Sequence, residues 1–478
     1  MKTREVLLVN PNFMRPPVAP LGLEYTADAL TQGGFAPVVC DLAFAEDWRT
    51  TLDAALDSGR FAAVLVSVRN IDDSYFASQD FVLARTAEVV AWIKLHSDLP
   101  VCLGGVGFSC APREVLSFTG ADYGIAGDGE AGAPAFLRAL TGERDLESVP
   151  GIVRSGEDGP VAEQSFARTD VAVAPASRRC FLDNRRYFEE GGQAGIETKR
   201  GCAMPCVYCS EPLAKGRVMR LRTPEAVVGE VGALLEQGID VFHLCDSEFN
   251  VPGDHAFAVC EALCAAGVHE RIRWYAYVYP VPFDLELARA MARAGCVGLD
   301  FGVDHLDEGM LRRLGRRYTA EDVRCAVAAC RDAGIAVMCD MLLGGPGETR
   351  ETLSHAIASM REFAPDRVGL SCGVRVYPYT PLGRAVRDMG PVRDNPHLHG
   401  ATMDNDDLLR PVFYVDAGIG LDIHDYVETL VAGDARFLHA NPNRKDGNYN
   451  YNDNTVLVEA IRGGKRGAYW DILRRVRR

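Results

Sequence analysis

VGLDFGVDHLDEGMLRRLGRRYTAEDVRCAVAACRDAGIAVMCDMLLG, residues 297–344, decides the fold. An apolar run, VGLDFGV, gives way to helical spacing over 307–314 and 320–333, stops at Gly334, and is followed by a second apolar run, AVMCDMLLG. Glycine after the last periodic residue is the usual helix stop, and two buried strands joined by a crossover helix pair in parallel. The same unit recurs on both sides. IETK (196–199) leads to a helix over 224–237, VFHLCDS (241–247) to one over 255–266, and IRWYAYVY (272–279) to one over 284–294, while RVGLSCGVRVYP (367–378) follows a helix over 351–363. Six βα units in succession predict a partial (β/α)6 barrel of the TIM type over 191–400, with its chemistry at the carboxyl ends of the strands.

Upstream, residues 1–145 carry five shorter runs, VLLVN (6–10), APVVCDL (36–42), AAVLVSV (62–68), PVCLGG (100–105) and YGIAG (123–127), alternating with amphipathic helical stretches. That rhythm predicts an α/β, doubly wound, Rossmann-like parallel sheet, whose ligands bind beyond the carboxyl ends of the strands. Those ends hold Asn10, Ser67, Arg69, Asn70, Gly104, Gly105, Gly127 and Glu130. They read either as ordinary turns or as a ligand-facing rim, since glycine serves both. Residues 146–190 lack a sustained period and read as a linker; residues 401–478 read as a small α+β extension. Within it, Tyr449 and Tyr451 in NPNRKDGNYNYNDN (441–454) would either close over a polar substrate or belong to a solvated loop.

The 478 residues are 47% hydrophobic, enough for two or three packed domains. A formal charge of −15 repels phosphate backbones and anionic lipid, so neither nucleic acid nor membrane is expected as a partner. No apolar stretch approaches membrane-spanning length and MKTREVLLVN lacks a signal-peptide core, which points to the cytoplasm. The arginines at 474, 475, 477 and 478 read as a solvated helix end. Fifteen cysteines without framework spacing should be mostly reduced, and the pairs Cys260/Cys264 and Cys325/Cys330, one helical turn or so apart, read as core packing.

One cysteine group stands apart. GCAMPCVYCS (201–210) sets Cys202, Cys206 and Cys209 at Cys-x3-Cys-x2-Cys directly after the first barrel strand. Thiolates select iron–sulfur clusters, and three of them leave one iron of a cubane open to chemistry. A structural zinc site would want a fourth Cys or His close by, whereas the next histidine is His243.

With this loop the chain resembles the radical S-adenosylmethionine enzymes, and more narrowly those with an N-terminal cobalamin-binding domain. Tyr208 before the last cysteine belongs to the resemblance. It implies a [4Fe–4S] cluster on Cys202, Cys206 and Cys209, S-adenosylmethionine chelated at the open iron, and reductive cleavage to a 5′-deoxyadenosyl radical. DSEFN (246–250) resembles the segment near the methionine moiety, implicating Glu248. Asp304, where the family usually has Glu-Ser against Asp304-His305 here, is implied as a ribose contact, or else caps a helix. LLGGPGET, with Gly344 and Gly345, resembles the turn near adenine. VRVYPYTPL (374–382) resembles the sixth-strand segment, with Arg375 either near the cofactor carboxylate or paired with a barrel carboxylate.

Residues 1–145 are similar in organisation to the cobalamin domain, without the Asp-x-His-x-x-Gly pattern that gives cobalt a histidine; His96, the one histidine there, reads as a surface residue. Arg69 resembles the arginine beneath cobalt in some cobalamin-dependent radical methylases, including tryptophan methylases. It would act catalytically as a cation that denies cobalt a further ligand, or else be salt-bridged to Asp72 or Asp73. The resemblance implies C-methylation of an unactivated carbon in a small molecule or peptide, with an external electron donor such as flavodoxin or ferredoxin. The alternatives are rearrangement, cyclisation or 3-amino-3-carboxypropyl transfer, and a non-catalytic sensor.

Overall fold

The computed structural model describes residues 4–156, 165–174, 176–442 and 451–476. Five parallel strands open the chain: β1 (Glu5–Asn10), β2 (Ala36–Asp41), β3 (Phe61–Ser67), β4 (Val101–Gly104) and β5 (Tyr123–Ile125). The sheet order is β2-β1-β3-β4-β5-β6, where β6 (Ile152–Arg154) runs antiparallel to β5. Its central strands are apolar on both faces, Val6 to Val9 being at most 1% exposed, because helices cover both sides.

β6 corrects the reading of 146–190 as a linker. Three residues are too short to show a period, yet they complete the sheet edge. The rest of that segment is also ordered where described. Asp183 caps a helix over Asn184–Gly191, and Arg179, fully buried, pairs with Glu230 (2.8 Å) of the barrel helix Pro224–Glu236 and with Glu24 (3.7 Å) of the helix Leu21–Gln32. Arg222 and the Tyr25 hydroxyl share the Glu230 carboxylate, so the two domains are joined through a buried ionic knot.

The six sequence-predicted barrel strands form as β7 (Ala194–Ile196), β10 (Val241–Leu244), β11 (Arg273–Val278), β12 (Cys296–Asp304), β13 (Ala336–Leu343) and β14 (Arg367–Cys372). Between β7 and β10, β8 (Lys199–Arg200) and β9 (Arg220–Leu221) pair antiparallel and bracket the cysteine loop. After β14 come β15 (Val374–Arg375), β16 (Leu398–Gly400) and β17 (Val412–Tyr414), a small antiparallel sheet in the order β15-β17-β16, and then β18 (Phe437–His439). β18 joins the barrel: the parallel order is β18-β14-β13-β12-β11-β10-β7. The α+β extension therefore contributes a seventh strand, which a three-residue apolar run does not advertise. Its last helix, Tyr469–Val476, sets Trp470 edge-on to Tyr275 and accepts the Tyr275 hydroxyl on Asp471 (2.8 Å), closing the barrel at the amino end of its strands.

Cys260 and Cys330 are core residues and Cys264 is half-buried, but Cys325 is exposed, against the expectation that both pairs pack inward. His96 is exposed, and among the described residues it bonds only its own helix, at Trp92 O. Arg474 and Arg475 fold back on Asp471; Arg477 and Arg478 lie outside the described residues, as does Tyr449. Among the described residues no helix is long and apolar enough to cross a membrane.

Candidate active site at the mouth of the barrel

The cysteine loop is held from several sides. Gly201 opens it at φ +96°, where a Cβ would lie 2.2 Å from Val218 O, so only glycine fits. Cys202 N donates to Gly216 O, Val207 N to Leu314 O, and Leu382 N to Val207 O, which ties the loop to the hairpin, to the helix Glu308–Leu314 and to the helix Pro381–Asp388. All three thiols are free, with Cys202 and Cys206 buried. Burial raises each of them, Cys206 to about 12 against the pull of Arg316, and each lies within the others' electrostatic reach. Such thiols surrender their protons only to a strong local cation, which the irons of a cluster supply. Three thiols on one loop are the donor set that an iron–sulfur cubane takes, with one iron left open. The residues fit a cluster.

Behind the loop stands Arg316, which the sequence did not single out. It binds Asp304 through Nε (2.5 Å) and Nη2 (2.9 Å), and donates to the Tyr208 hydroxyl (2.8 Å), which itself donates to Asp304 (2.7 Å). Asp304, expected as a ribose contact, thus has both oxygens engaged and braces Tyr208. Its neighbour His305 meets Glu348 (3.1 Å), whose other oxygen accepts the amides of Gly344 (2.5 Å) and Gly345 (3.0 Å) and fixes that turn. Glu248 faces the same space; burial pushes its carboxyl to about 8 despite Arg316.

Arg375 corrects an expectation. It is 5% exposed, pairs with Asp72 of the N-terminal domain (2.8 Å), and donates to the carbonyls of Val376, Leu408 and Leu409. The partner is a protein carboxylate, but one of the N-terminal domain and not of the barrel, so the residue pins the two domains together.

At the carboxyl end of the N-terminal sheet a cavity of about 370 Å3 is lined by Ser67, Arg69, Asn70, Gly104, Gly105, Gly127 and Glu130, with Leu8, Leu65 and Leu103 at its apolar end and Glu197, Arg200 and Cys245 on the barrel side. The strand-end turns therefore do face a cavity. Gly105 sits at φ +103° with Val68 O 2.6 Å from where a Cβ would be. Asn10 is the exception: its amide donates to Asp41 (2.8 Å) and Tyr187 (3.0 Å), away from the cavity. Arg69 is not salt-bridged to Asp72, which Arg375 holds, nor to Asp73, which accepts from Ser78, Tyr75 N and Asp80 N. Among the described residues its one hydrogen-bond contact is Met14 Sδ at 3.8 Å, and its charge reaches Cys245, Tyr277 and Tyr469 toward the barrel lumen.

The lumen is the part that sequence reading passed over. His243, Tyr277, Asp300, Asp340 and Ser371 sit on five neighbouring strands, with Tyr277 directly opposite Asp300 and Asp340 opposite Gly302. An aspartate inside an apolar run, as in VGLD and VMCD, was the available signal.

Residues 196–360 match the Radical SAM superfamily. Over 445 residues the chain is 32% identical to the tryptophan 2-C-methyltransferase of Streptomyces laurentii, covering 80% of this chain and 74% of that one. The chain belongs to the radical S-adenosylmethionine methyltransferases. This methyltransferase also superimposes on TsrM from Kitasatospora setae, solved with tryptophan and a S-adenosylmethionine analogue, at a TM-score of 0.91 and 31% identity over 99% of this chain and 98% of that one. The same enzyme with cobalamin and a [4Fe–4S] cluster gives 0.88 and 30%, over the same shares of both chains. The radical enzyme OxsB, at 17% identity, a TM-score of 0.70, and 87% and 64% of the two chains, shares the fold.

Proposed function

We propose that this enzyme is a cobalamin-dependent radical S-adenosylmethionine C-methyltransferase acting on an indole amino acid of the tryptophan class. The observation that carries the reading is the placement of Arg69: a guanidinium without a carboxylate partner among the described residues, between the N-terminal cavity and the barrel lumen. When bound, the cluster supplies an iron that takes S-adenosylmethionine, and cobalamin supplies a methyl carrier. Cys202, Cys206 and Cys209 would ligate the cluster, with Glu248, Gly344 and Gly345 lining the adjoining S-adenosylmethionine site. Ser67, Asn70, Gly104, Gly105, Gly127 and Glu130 would hold cobalamin. Arg69, always protonated, cannot donate a nitrogen lone pair; it would stand as a cation at the edge of the cavity and leave the carrier without a protein ligand on that side. The substrate class is supported by the relatives that methylate or bind tryptophan across nearly the full chain.

Anaerobic reconstitution with iron, sulfide and hydroxocobalamin, followed by methyl-deuterated S-adenosylmethionine and L-tryptophan, tests this. Label on the indole ring is the expected result. A protein that takes up no cobalamin refutes the carrier reading, and one that binds both cofactors yet methylates no indole refutes the substrate class. Arg69→Lys should retain cobalamin with a shifted visible spectrum and a slower methyl transfer.

A further inference from the structure

Barrel interiors are ordinarily packed with branched apolar side chains, but this lumen is polar at mid-height and open. Tyr277 lies on β11, flanked by β10 and β12, yet 45% of its surface is accessible, and its ring rests on His243 at 4.7 Å. It looks onto an internal space. Asp300 opposite it is 5% exposed, and its Oδ1 has no hydrogen-bond partner among the described residues. The other side of the carboxyl is bonded to Asp340, beside which Tyr75 of the N-terminal domain also lies. Burial first, and then Asp340, hold the Asp300 carboxyl well above the usual carboxylate range. Two carboxyls so close share one proton, leaving a single negative charge.

The location of this pair matters as much as its chemistry. Asp300 senses Glu248 on the side of the cysteine loop, while Tyr277 senses Arg69 on the side of the N-terminal cavity. The pair therefore stands between the two cofactor sites, and the cysteine loop, the Arg316 brace and the ionic knot make no use of it. A buried acceptor without a donor asks for one, the half-buried Asp340 beside it is the member of the pair that a ligand can reach, and a site with one negative charge asks for one positive charge.

We propose that Asp300 and Asp340 together bind the protonated amino group of the substrate, fixing an amino acid between the cluster and the N-terminal cavity. The ammonium has N–H donors only, matching a surface that is largely acceptor, and its charge compensates the pair. A carboxylate in the same place would be repelled. The inference rests on the indole amino acid reading and adds the group by which that substrate is gripped.

Calorimetric titration of the reconstituted holoenzyme, with S-adenosylhomocysteine present to prevent turnover, compares L-tryptophan, tryptamine and indole-3-propionate. Tryptophan and tryptamine should bind, and indole-3-propionate, which lacks the amine, should be weaker by roughly 10- to 100-fold, the worth of a charge-assisted hydrogen bond. Asp300→Asn and Asp340→Asn, each isosteric, should weaken the two amines by about tenfold or more while iron content, cobalamin content and indole-3-propionate affinity hold. Equal binding of all three ligands by the native enzyme, or an unchanged order in both variants, overturns the inference and leaves the indole reading intact. Failure of all three to bind removes the indole reading and this inference with it. The ligand series on the native enzyme decides the matter even if a variant does not fold.

Discussion

Replacing Arg316 by methionine isolates the energetics of the brace behind the cysteine loop. The arginine side chain is 5% exposed and Asp304 8%, so the substitution leaves a carboxylate stranded in the protein with the Tyr208 hydroxyl as its remaining side-chain partner among the described residues. Breaking one side of a buried ion pair costs about 3–5 kcal/mol, because the surviving charge has neither water nor a counter-ion. For a domain of this size each kcal/mol moves a melting midpoint by about 2–4 °C, so R316M should melt roughly 6–20 °C below the native protein. R316M/D304N removes the stranded charge and should recover about half of that loss. Thermal and urea unfolding of the cluster-free protein at neutral pH measure both, and iron analysis after reconstitution should show R316M loading poorly because Tyr208 loses its clamp. A loss under about 1 kcal/mol, or a double variant no more stable than R316M, would refute the account of Arg316 as the compensating charge.

Three further outcomes are expected. Cys202→Ala, Cys206→Ala and Cys209→Ala should each abolish 5′-deoxyadenosine formation, whereas Cys260→Ala, 1% exposed in the barrel core, should cost only about 1 kcal/mol of stability and leave iron content unchanged. Gly105→Ala meets Val68 O at 2.6 Å from a left-handed φ, so it should destabilise the N-terminal domain by about 2–3 kcal/mol and lower cobalamin uptake without altering iron loading. Burial pushes the Glu197 carboxyl up, but Arg200 (2.8 Å) and Lys215 (3.2 Å) pull harder and hold it at about 2. Below its ordinary value of 4.5 the unfolded chain binds the proton that the folded chain refuses. Stability should thus be fully present above about pH 4.5 and fall by up to about 3 kcal/mol as pH drops toward 2, and Glu197→Gln should flatten that limb of the acid-unfolding curve.

Long periodic segments were legible in the sequence. All six predicted barrel strands and all five N-terminal strands form, most of them as apolar runs buried on both faces, while β2, at the sheet edge, leaves Ala36 and Val38 exposed. The elements that escaped were β6 and β18, three residues each, whose strand identity comes from the neighbour they pair with and not from any local pattern. The cysteine loop was legible because covalent chemistry constrains spacing along the chain. Arg375 was misplaced and Arg316 unseen for the converse reason: an arginine reaches far, and only the fold says whether the nearest carboxylate belongs to its own loop, as with Asp304, or lies 303 residues away, as with Asp72. Asp300 and Asp340 were visible as lone acids in apolar strands, but their meaning depends on both facing one space.

β18 has a consequence for how the chain comes off the ribosome. The inner barrel strand β14 ends at Cys372, but its outer neighbour is not made until Phe437–His439, and the helix that stoppers the barrel comes later still, at Tyr469–Val476. At translation rates of about 5–20 residues per second the exposed edge of β14 waits several seconds for its partner. During that interval a growing polypeptide offers a row of unpaired amides and carbonyls to any strand that passes. Premature termination before residue 437 leaves this edge permanently open, so a nascent fragment of this enzyme is a substrate for chaperones or for aggregation well before it can hold a cofactor.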